Sequence, residues 1–176
     1  MKNVSNIFLN GLINNLTITA LASIIPLIIG IVAYRVIDIN PNLNCFSKFA
    51  GSIFESFCPV ITIIILYFCV LSSLNNAYWI CVIGFSISFI GYLPSRYNPE
   101  NSFNKNIIVN FFGLIISIFK WSFVVSFVGV LDMLRSANLQ MSKTYDASCF
   151  WLVFIASFVI LILLNVVKTI FDERLN

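Results

Sequence analysis

The sequence predicts an all-α integral membrane protein with five transmembrane helices, on the basis of composition and of charge spacing. Of its 176 residues, 60% are hydrophobic and 10% are charged, whereas a soluble domain carries about 25% charged residues. Between Glu55 and Arg96, 40 consecutive residues carry no charge. One helix of that length would measure about 60 Å, about twice the hydrocarbon thickness of a bilayer. This stretch therefore predicts two adjacent spans.

The first span is expected at about residues 16–34, in an apolar run that contains Pro26. A proline is tolerated inside a membrane helix when neighbouring helices satisfy the carbonyl that it frees. Arg35 follows the run directly and closes the span. Residues 39–55 are more polar, and their second half is predicted to form a short interfacial helix that leads into the next span.

The long uncharged stretch divides at a cluster of serine and asparagine residues, 72–76. We place the second span at about residues 56–74 and the third at about residues 77–93. Aromatic residues lie near the expected span ends, where an interfacial belt would place them.

Residues 94–106 form the most polar segment of the chain. Within it, Asn98, Pro99 and Glu100 are typical of a helix start, with an asparagine cap, a proline at the first helical position and an acid in the first turn. The pattern predicts a helix of one or two turns.

The fourth span is expected at about residues 107–130 and the fifth at about residues 148–167, with an amphipathic stretch between them. Lys120 lies in the middle of the fourth apolar run, where a charge is costly unless it faces protein, water or the interface. Two interpretations remain open. Lys120 faces a solute pathway, or it lies at a helix break and extends to the interface.

An odd number of spans places the two termini on opposite sides of the membrane, and loop charges indicate which side is cytoplasmic. With the N-terminus outside, the inner segments carry six basic residues and the outer segments carry four. The inner residues are Arg35, Lys48, Arg96, Lys105, Lys168 and Arg174, and the outer ones are Lys2, Lys120, Arg135 and Lys143. We therefore expect the N-terminus outside and the C-terminus in the cytoplasm.

The polar residue types limit the chemistry that this chain performs. It contains no histidine, and its five cysteines form no Cys-x-x-Cys pair. Histidine is the commonest metal ligand and proton carrier near neutral pH, and cysteine in apolar runs acts as a small hydrophobe. The expected spans contain almost no acids, which argues against a membrane enzyme and against an ion-coupled secondary transporter. We expect no catalytic residue, no bound metal or cofactor and no nucleic-acid partner.

Three segments carry a resemblance to one family, in that family's order and spacing. The segment from Gly11 to Val36 has an early glycine, a late glycine and a closing arginine, and the entry to the second span keeps Pro59 of a Phe-Arg-Gly-Thr-Pro motif. The segment from Lys120 to Trp151 is similar to a Lys-Asp-Thr-Ser-Leu stretch followed by Ser-x-Ile-Gly-Val-x-Asp-Leu. Its matching residues are Lys120, Ser126, Gly129, Val130, Asp132 and Arg135, with Ser122 at a threonine position. The chain resembles the permease subunit of a bacterial ATP-binding-cassette (ABC) importer of the polar amino-acid type.

The resemblance implies a type I ABC importer permease fold in the bacterial cytoplasmic (inner) membrane. It implies ATPase subunits that bind ATP, a second permease subunit in a hetero- or homodimer, and an external substrate-binding protein. The transported solutes would be amino acids or similar small polar molecules. The residues carried over to the solute path or its gate are Lys120, Ser122, Ser126, Asp132 and Arg135. For Asp132 and Arg135, a structural pair on one helical face is the alternative interpretation.

The loop between the third and fourth spans departs from the family pattern. In the family, this loop carries a Glu-Ala-Ala motif in a coupling helix that docks into the ATPase subunit, and this chain has no such motif. Its shortened loop offers five candidate coupling residues, which are Arg96, Asn98, Pro99, Glu100 and Lys105. The alternative hypothesis is a structural or regulatory membrane subunit that keeps the permease scaffold without transporting. For the charged residues Arg96, Glu100 and Lys105, the alternative to contact with an ATPase is a loop that faces solvent.

Overall fold

The computed structural model describes residues 2–70, 76–145 and 147–175, and all regular structure within these ranges is helical. The helices are α1 (Lys2–Ile39), α2 (Leu43–Glu55), α3 (Pro59–Ile65), α4 (Ala77–Ser88), α5 (Tyr92–Ser95), α6 (Phe103–Trp121), α7 (Met133–Thr144) and α8 (Ser148–Arg174). A π-helical segment, Leu66–Val70, continues α3, and a 3₁₀ segment, Ser122–Val128, continues α6.

Among the described residues, four stretches are long and apolar enough to cross a bilayer, at Asn6–Ile39, Ala77–Ser95, Phe103–Val128 and Ser148–Arg174. Helix α2 and the following helix to Cys69 meet at 66°, and this bent pair brings the number to five if it forms one span. The predicted all-α membrane fold is therefore confirmed. The end of the expected second span, including the break at residues 72–75, lies outside the described residues.

Several helices begin where a proline or a polar side chain suits the first turn. Pro59 occupies the first turn of α3, where a missing N–H costs no hydrogen bond. The Asn76 side chain caps α4 by accepting a hydrogen bond from the backbone N–H of Tyr78. The Ser102 hydroxyl caps α6 by accepting from the backbone N–H of Lys105. The side chains thus satisfy N–H groups that have no partner inside a helix.

The helix predicted to begin at Asn98 does not form. The Asn98 side chain accepts a hydrogen bond from the backbone N–H of Glu100 at 3.1 Å, which closes a turn, and residues 99–101 adopt turn and bend geometry. The Asn106 side chain donates to the backbone carbonyls of Asn98 at 2.7 Å and Asn101 at 3.2 Å. These bonds occupy carbonyls that a helix would use, so the prediction is wrong.

The hydrophobic core lies between α1, α4, α5 and α6. Its fully buried side chains include Ile18 and Tyr34 of α1, Phe85 of α4, and Leu114 and Ile118 of α6. By contrast, only 6% of the most apolar stretch of α8 is buried, and most of its large apolar side chains are exposed, although Val153, Phe150 and Ala156 pack in a small second cluster. Such a surface is suited to lipid or to a partner helix within the membrane.

Helix α2 crosses α5 at a contact between two glycines. A Cβ added to Gly91 would lie 2.1 Å from the carbonyl oxygen of Gly51, and one added to Gly51 would lie 2.8 Å from the backbone nitrogen of Ser95. No side chain fits at these distances, because the two backbones touch directly. This approach brings Glu55, at the end of α2, next to the residues that follow α5.

Candidate functional site

The junction between α2 and α5 is held by Glu55, Ser95 and Arg96, and we call these three residues the α2–α5 junction. The guanidinium of Arg96 lies 2.6 Å from a carboxylate oxygen of Glu55. The Ser95 hydroxyl donates to the other oxygen of Glu55 at 2.9 Å. Arg96 also stacks on the ring of Tyr92, at 3.7 Å from its centroid. These contacts pair the two charges and join the end of α2 to the end of α5.

A cavity of about 270 Å³ opens beside this junction. It combines one acid, one base, hydroxyl groups and aromatic walls. Its lining includes Glu55, Cys58, Ser88, Tyr92, Arg96 and Trp121. A mixed lining of this kind suits a small polar molecule, because charged groups orient a ligand while aromatic faces cover its apolar part.

The loop after α5 is fastened to α1 through Tyr97. Tyr97 is a buried residue whose hydroxyl donates a hydrogen bond to the carboxylate of Asp38, at the end of α1. This bond raises the pKa of Tyr97 to about 12, because it stabilises the protonated hydroxyl. A tyrosine with its ordinary pKa of about 10 is already protonated at physiological pH, and the bond that the Tyr97 hydroxyl donates holds the loop against α1.

Asn106 fastens the same loop to α6, and an ion pair beside it joins α6 to α8. The Asn106 side chain bonds the backbone of Asn98 on both sides, accepting from its N–H at 3.2 Å and donating to its carbonyl. Lys105, in the first turn of α6, lies 3.2 Å from the carboxylate of Asp172 near the end of α8. Three helices, α1, α2 and α6, thus meet the loop at one end of the molecule, and α8 is joined to α6 there.

The predicted coupling residues consequently fall into two groups. The charged ends of Arg96 and Lys105 are engaged with Glu55 and Asp172 inside the chain. The side chains of Asn98, Pro99 and Glu100 are exposed. A partner that approached this end would meet the second group.

The residues predicted along the solute path do not gather into one polar site. The α-helix changes to 3₁₀ geometry directly after Lys120 and Trp121, and Lys120 is exposed in the last turn of α6. A positive charge there interacts favourably with the partial negative charge of the helix end. The Ser122 hydroxyl donates to the carbonyl of Phe119 at 2.8 Å, and the Ser126 hydroxyl donates to the carbonyl of Phe123 at 3.0 Å.

Asp132 caps α7, and its contact with Arg135 is to the backbone. One carboxylate oxygen of the fully buried Asp132 accepts from the backbone N–H of Arg135 at 2.7 Å. Burial raises the pKa of Asp132 to about 6. Hydrogen bonds from the backbone N–H groups of Arg135, Asp132 and Leu134, and the charge of Arg135, lower this pKa. The other Asp132 oxygen is buried and has no hydrogen-bond partner among the described residues. Both amide atoms of the buried Asn15 are also unpaired within that part of the chain.

Sequence reasoning did not assign the partners that hold the loop. Glu55, Asp38 and Asp172 are each far from the loop in sequence, and no local spacing rule connects them to it. The sequence carries one weak signal for these acidic partners. An acid at the end of an apolar segment lies at one surface of the membrane, close to the basic residues at that same surface. Asn15 and Asn106 are polar residues in or near expected spans, which is the one signal that could have identified them.

Comparison with known proteins supports the fold. No protein-family model matches the chain, and no curated protein matches it. The chain is similar to one from a crystal structure of an amino acid ABC transporter with histidines, with a TM-score of 0.79 and 18% sequence identity. The match covers 99% of this chain and 97% of the other. This chain therefore has the all-helical membrane fold of an amino acid ABC transporter chain.

Proposed function

We propose that this chain is a permease subunit of an ATP-driven importer in the bacterial cytoplasmic membrane. The observation that carries the proposal is the fold likeness to a chain of an amino acid ABC transporter, which extends over nearly the whole length of both chains. Separate ABC ATPase subunits bind and hydrolyse ATP, and an external substrate-binding protein delivers the solute. The chain itself binds no cofactor and catalyses no reaction.

In this proposal, a second permease subunit completes the solute path. A heterodimer is favoured over a homodimer, because a homodimer would have two shortened loops and no Glu-Ala-Ala coupling motif. The partner would then supply the main contact with the ATPase subunits. The exposed Asn98, Pro99 and Glu100 would add a smaller contact.

The solutes are amino acids or similar small polar molecules. The cavity at the α2–α5 junction supports this class, because hydroxyl groups and aromatic walls line its volume of about 270 Å³ beside the mutually paired charges of Glu55 and Arg96. Lys120, Ser122, Ser126, Asp132 and Arg135 remain proposed residues of the path or its gate. The local bonds of the two serines and Asp132 favour a role in shaping the path over direct solute binding.

Co-purification tests the importer. The tagged chain is extracted in mild detergent, and the proteins that accompany it are identified by mass spectrometry. We expect an ABC ATPase subunit and a second permease in a fixed ratio. Charge reversal by Glu100→Lys should reduce the recovered ATPase, while Lys143→Glu, an exposed change on α7, serves as the matched control.

A non-transporting structural or regulatory subunit is the second candidate. It is favoured by the loop after α5, whose Arg96 and Lys105 are engaged inside the chain and which lacks the Glu-Ala-Ala motif. Recovery of the chain alone, or with an unrelated membrane complex, would support this candidate and would reject the importer.

Orientation is tested separately from partners. We propose the N-terminus outside and the C-terminus in the cytoplasm, because six basic residues against four favour that arrangement. Alkaline phosphatase fused to the C-terminus should be inactive, and green fluorescent protein fused there should fluoresce. The reverse pattern would reject the orientation.

A further inference from the structure

Three buried polar atoms of Asn15 and Asp132 have no hydrogen-bond partner among the described residues. They are the amide nitrogen and amide oxygen of Asn15 and the carboxylate oxygen Oδ2 of Asp132. Asn15 belongs to α1, Asp132 directly precedes α7, and both residues are 0% exposed. Leaving a buried donor or acceptor unpaired is costly, and most such groups in folded proteins are paired with protein or with ordered water. These three atoms therefore need a partner.

Two contacts between α1 and the start of α7 bring Asn15 close to Asp132. The Asn14 side chain donates a hydrogen bond to the backbone carbonyl of Leu131 at 2.7 Å. A Cβ added to Gly11 would lie 2.6 Å from the backbone carbonyl oxygen of Asp132. Asn15 follows Asn14 directly and lies one helical turn after Gly11, so it shares a face of α1 with Gly11. The Asn15 side chain therefore faces the short segment that carries Asp132.

The other acceptors of Asp132 are already occupied by the first turn of α7. The second carboxylate oxygen accepts from the backbone N–H of Arg135 at 2.7 Å. The backbone carbonyl of Asp132 accepts from the N–H and from the hydroxyl of Ser136, at 2.9 and 2.7 Å. Oδ2 is therefore the acceptor that remains for a bond outside α7.

We propose that ordered water is bound between α1 and the start of α7, where one molecule donates to Oδ2 of Asp132 and bonds the carboxamide of Asn15. Water both donates and accepts, so it can pair with a carboxylate oxygen and with either amide atom. The ligand is small, because α1 and the backbone of Asp132 touch at Gly11.

The charges around Asp132 favour water over a metal cation at this site. The carboxylate lies at the N-terminus of α7, where the helix carries a partial positive charge, and the charge of Arg135 acts on it as well. A further positive charge is therefore not needed. The site is independent of the proposed transport function, because it needs neither an ATPase nor a solute.

A crystal structure of the full-length chain, at a resolution that shows ordered water, tests the bridge directly. We expect a density peak about 2.6–3.2 Å from both Oδ2 of Asp132 and one amide atom of Asn15. The peak should be absent in Asn15→Leu, because leucine is similar in size and has no polar atom in its side chain. A map without this peak in the parent protein, or a direct bond between the two side chains, would overturn the proposal.

A double-mutant cycle by equilibrium unfolding in mixed micelles tests the same bridge in solution. Asn15→Leu and Asp132→Ala each remove one end of it, and the lost cap of α7 cancels because it occurs in both variants with Asp132→Ala. The unfolding equilibrium constant of the double variant should differ about threefold or more from the value for independent effects, since both residues belong to one hydrogen-bond network.

Ala20→Leu, an exposed change on α1, is the matched control and should be additive with Asp132→Ala. Additive effects of Asn15→Leu and Asp132→Ala would show that nothing connects the two side chains and would reject the bridge. If either variant does not fold, the map of the parent protein decides the question.

Discussion

The loop after α5 and the segment from Lys120 to Arg135 are both polar regions of a membrane protein, but their hydrogen bonds reach different distances along the chain. Around the loop, Arg96 pairs with Glu55, and Tyr97 bonds Asp38. In the other segment, the side chains of Ser122, Ser126 and Asp132 each bond a backbone group three residues away. The side chains of the first region therefore join helices, whereas those of the second region end and begin helices. The second region is joined to α1 through its backbone, where the carbonyl of Leu131 accepts a hydrogen bond from Asn14 at 2.7 Å.

Polar side chains in the two regions therefore contribute to stability in different ways, and different substitutions reveal each contribution. Where a side chain joins two helices, its contribution depends on a distant partner, so paired substitutions show coupling. Where a side chain caps its own helix, its contribution depends on retaining an acceptor atom at that position. Four sets of substitutions, in decreasing order of the predicted change in stability, test this distinction by equilibrium unfolding in mixed micelles.

Gly91→Ala should have the largest effect. The added Cβ would lie 2.1 Å from the Gly51 carbonyl oxygen, so α2 and α5 must separate and the free energy of unfolding should fall by about 2–3 kcal/mol. Ser52→Ala, an exposed change on α2, is the control and should change it by less than about 0.5 kcal/mol. Equal stability of the two variants would contradict the close contact of α2 with α5.

Asp132→Ala should lower the free energy of unfolding by about 1–2 kcal/mol, because the backbone N–H of Arg135 loses the acceptor that caps α7. Asp132→Asn keeps an oxygen at that position and should stay within about 0.5 kcal/mol of the parent. If the asparagine substitution were as harmful as the alanine substitution, the negative charge would matter more than the cap.

The Glu55–Arg96 pair should show measurable coupling in a double-mutant cycle with Glu55→Gln and Arg96→Gln. We expect a coupling energy of about 0.5–1 kcal/mol, because the two side chains are 31% and 40% exposed and solvent screens their attraction. Additive single and double variants would show that the ion pair does not hold the junction.

The cycle of Asp132→Asn with Arg135→Ala should give the smallest value, below about 0.3–0.5 kcal/mol. Asp132 bonds the backbone N–H of Arg135, and the alanine substitution leaves that N–H in place. A coupling energy as large as that of Glu55 and Arg96 would mean that the two side chains attract each other directly. The comparison between the two regions would then fail.

Much of the fold could be predicted from the sequence, because hydropathy and helix-end residues act locally. The apolar run with Pro26 lies within α1, and Ser148 begins α8 as it begins the expected fifth span. The expected fourth span contains both α6 and its 3₁₀ continuation. The helix break that one interpretation placed at Lys120 corresponds to the change of helix type after Trp121, whereas the 3₁₀ geometry itself was not predicted.

The candidate site was less predictable, because its contacts cross the fold. Asn98, Pro99 and Glu100 match a helix start, yet Asn106 takes the carbonyls that such a helix would use. Arg96 was predicted to face a partner or solvent, and it is paired with Glu55. Asn15 gave no signal beyond its polarity, and its burial without a partner among the described residues follows from the packing of α1 against the rest of the bundle.

The sequence alone was enough to predict a helical membrane protein. Uncharged apolar runs of this length are suited to lipid, and in lipid a helix satisfies the backbone hydrogen bonds within each run. The sequence also placed the charges at the ends of those runs. Only the tertiary structure decided which charges meet. The pairing of Arg96 with Glu55 depends on the contact between Gly51 and Gly91, which lets α2 approach α5. The two helices are far apart in sequence, so only their packing sets the distance between them.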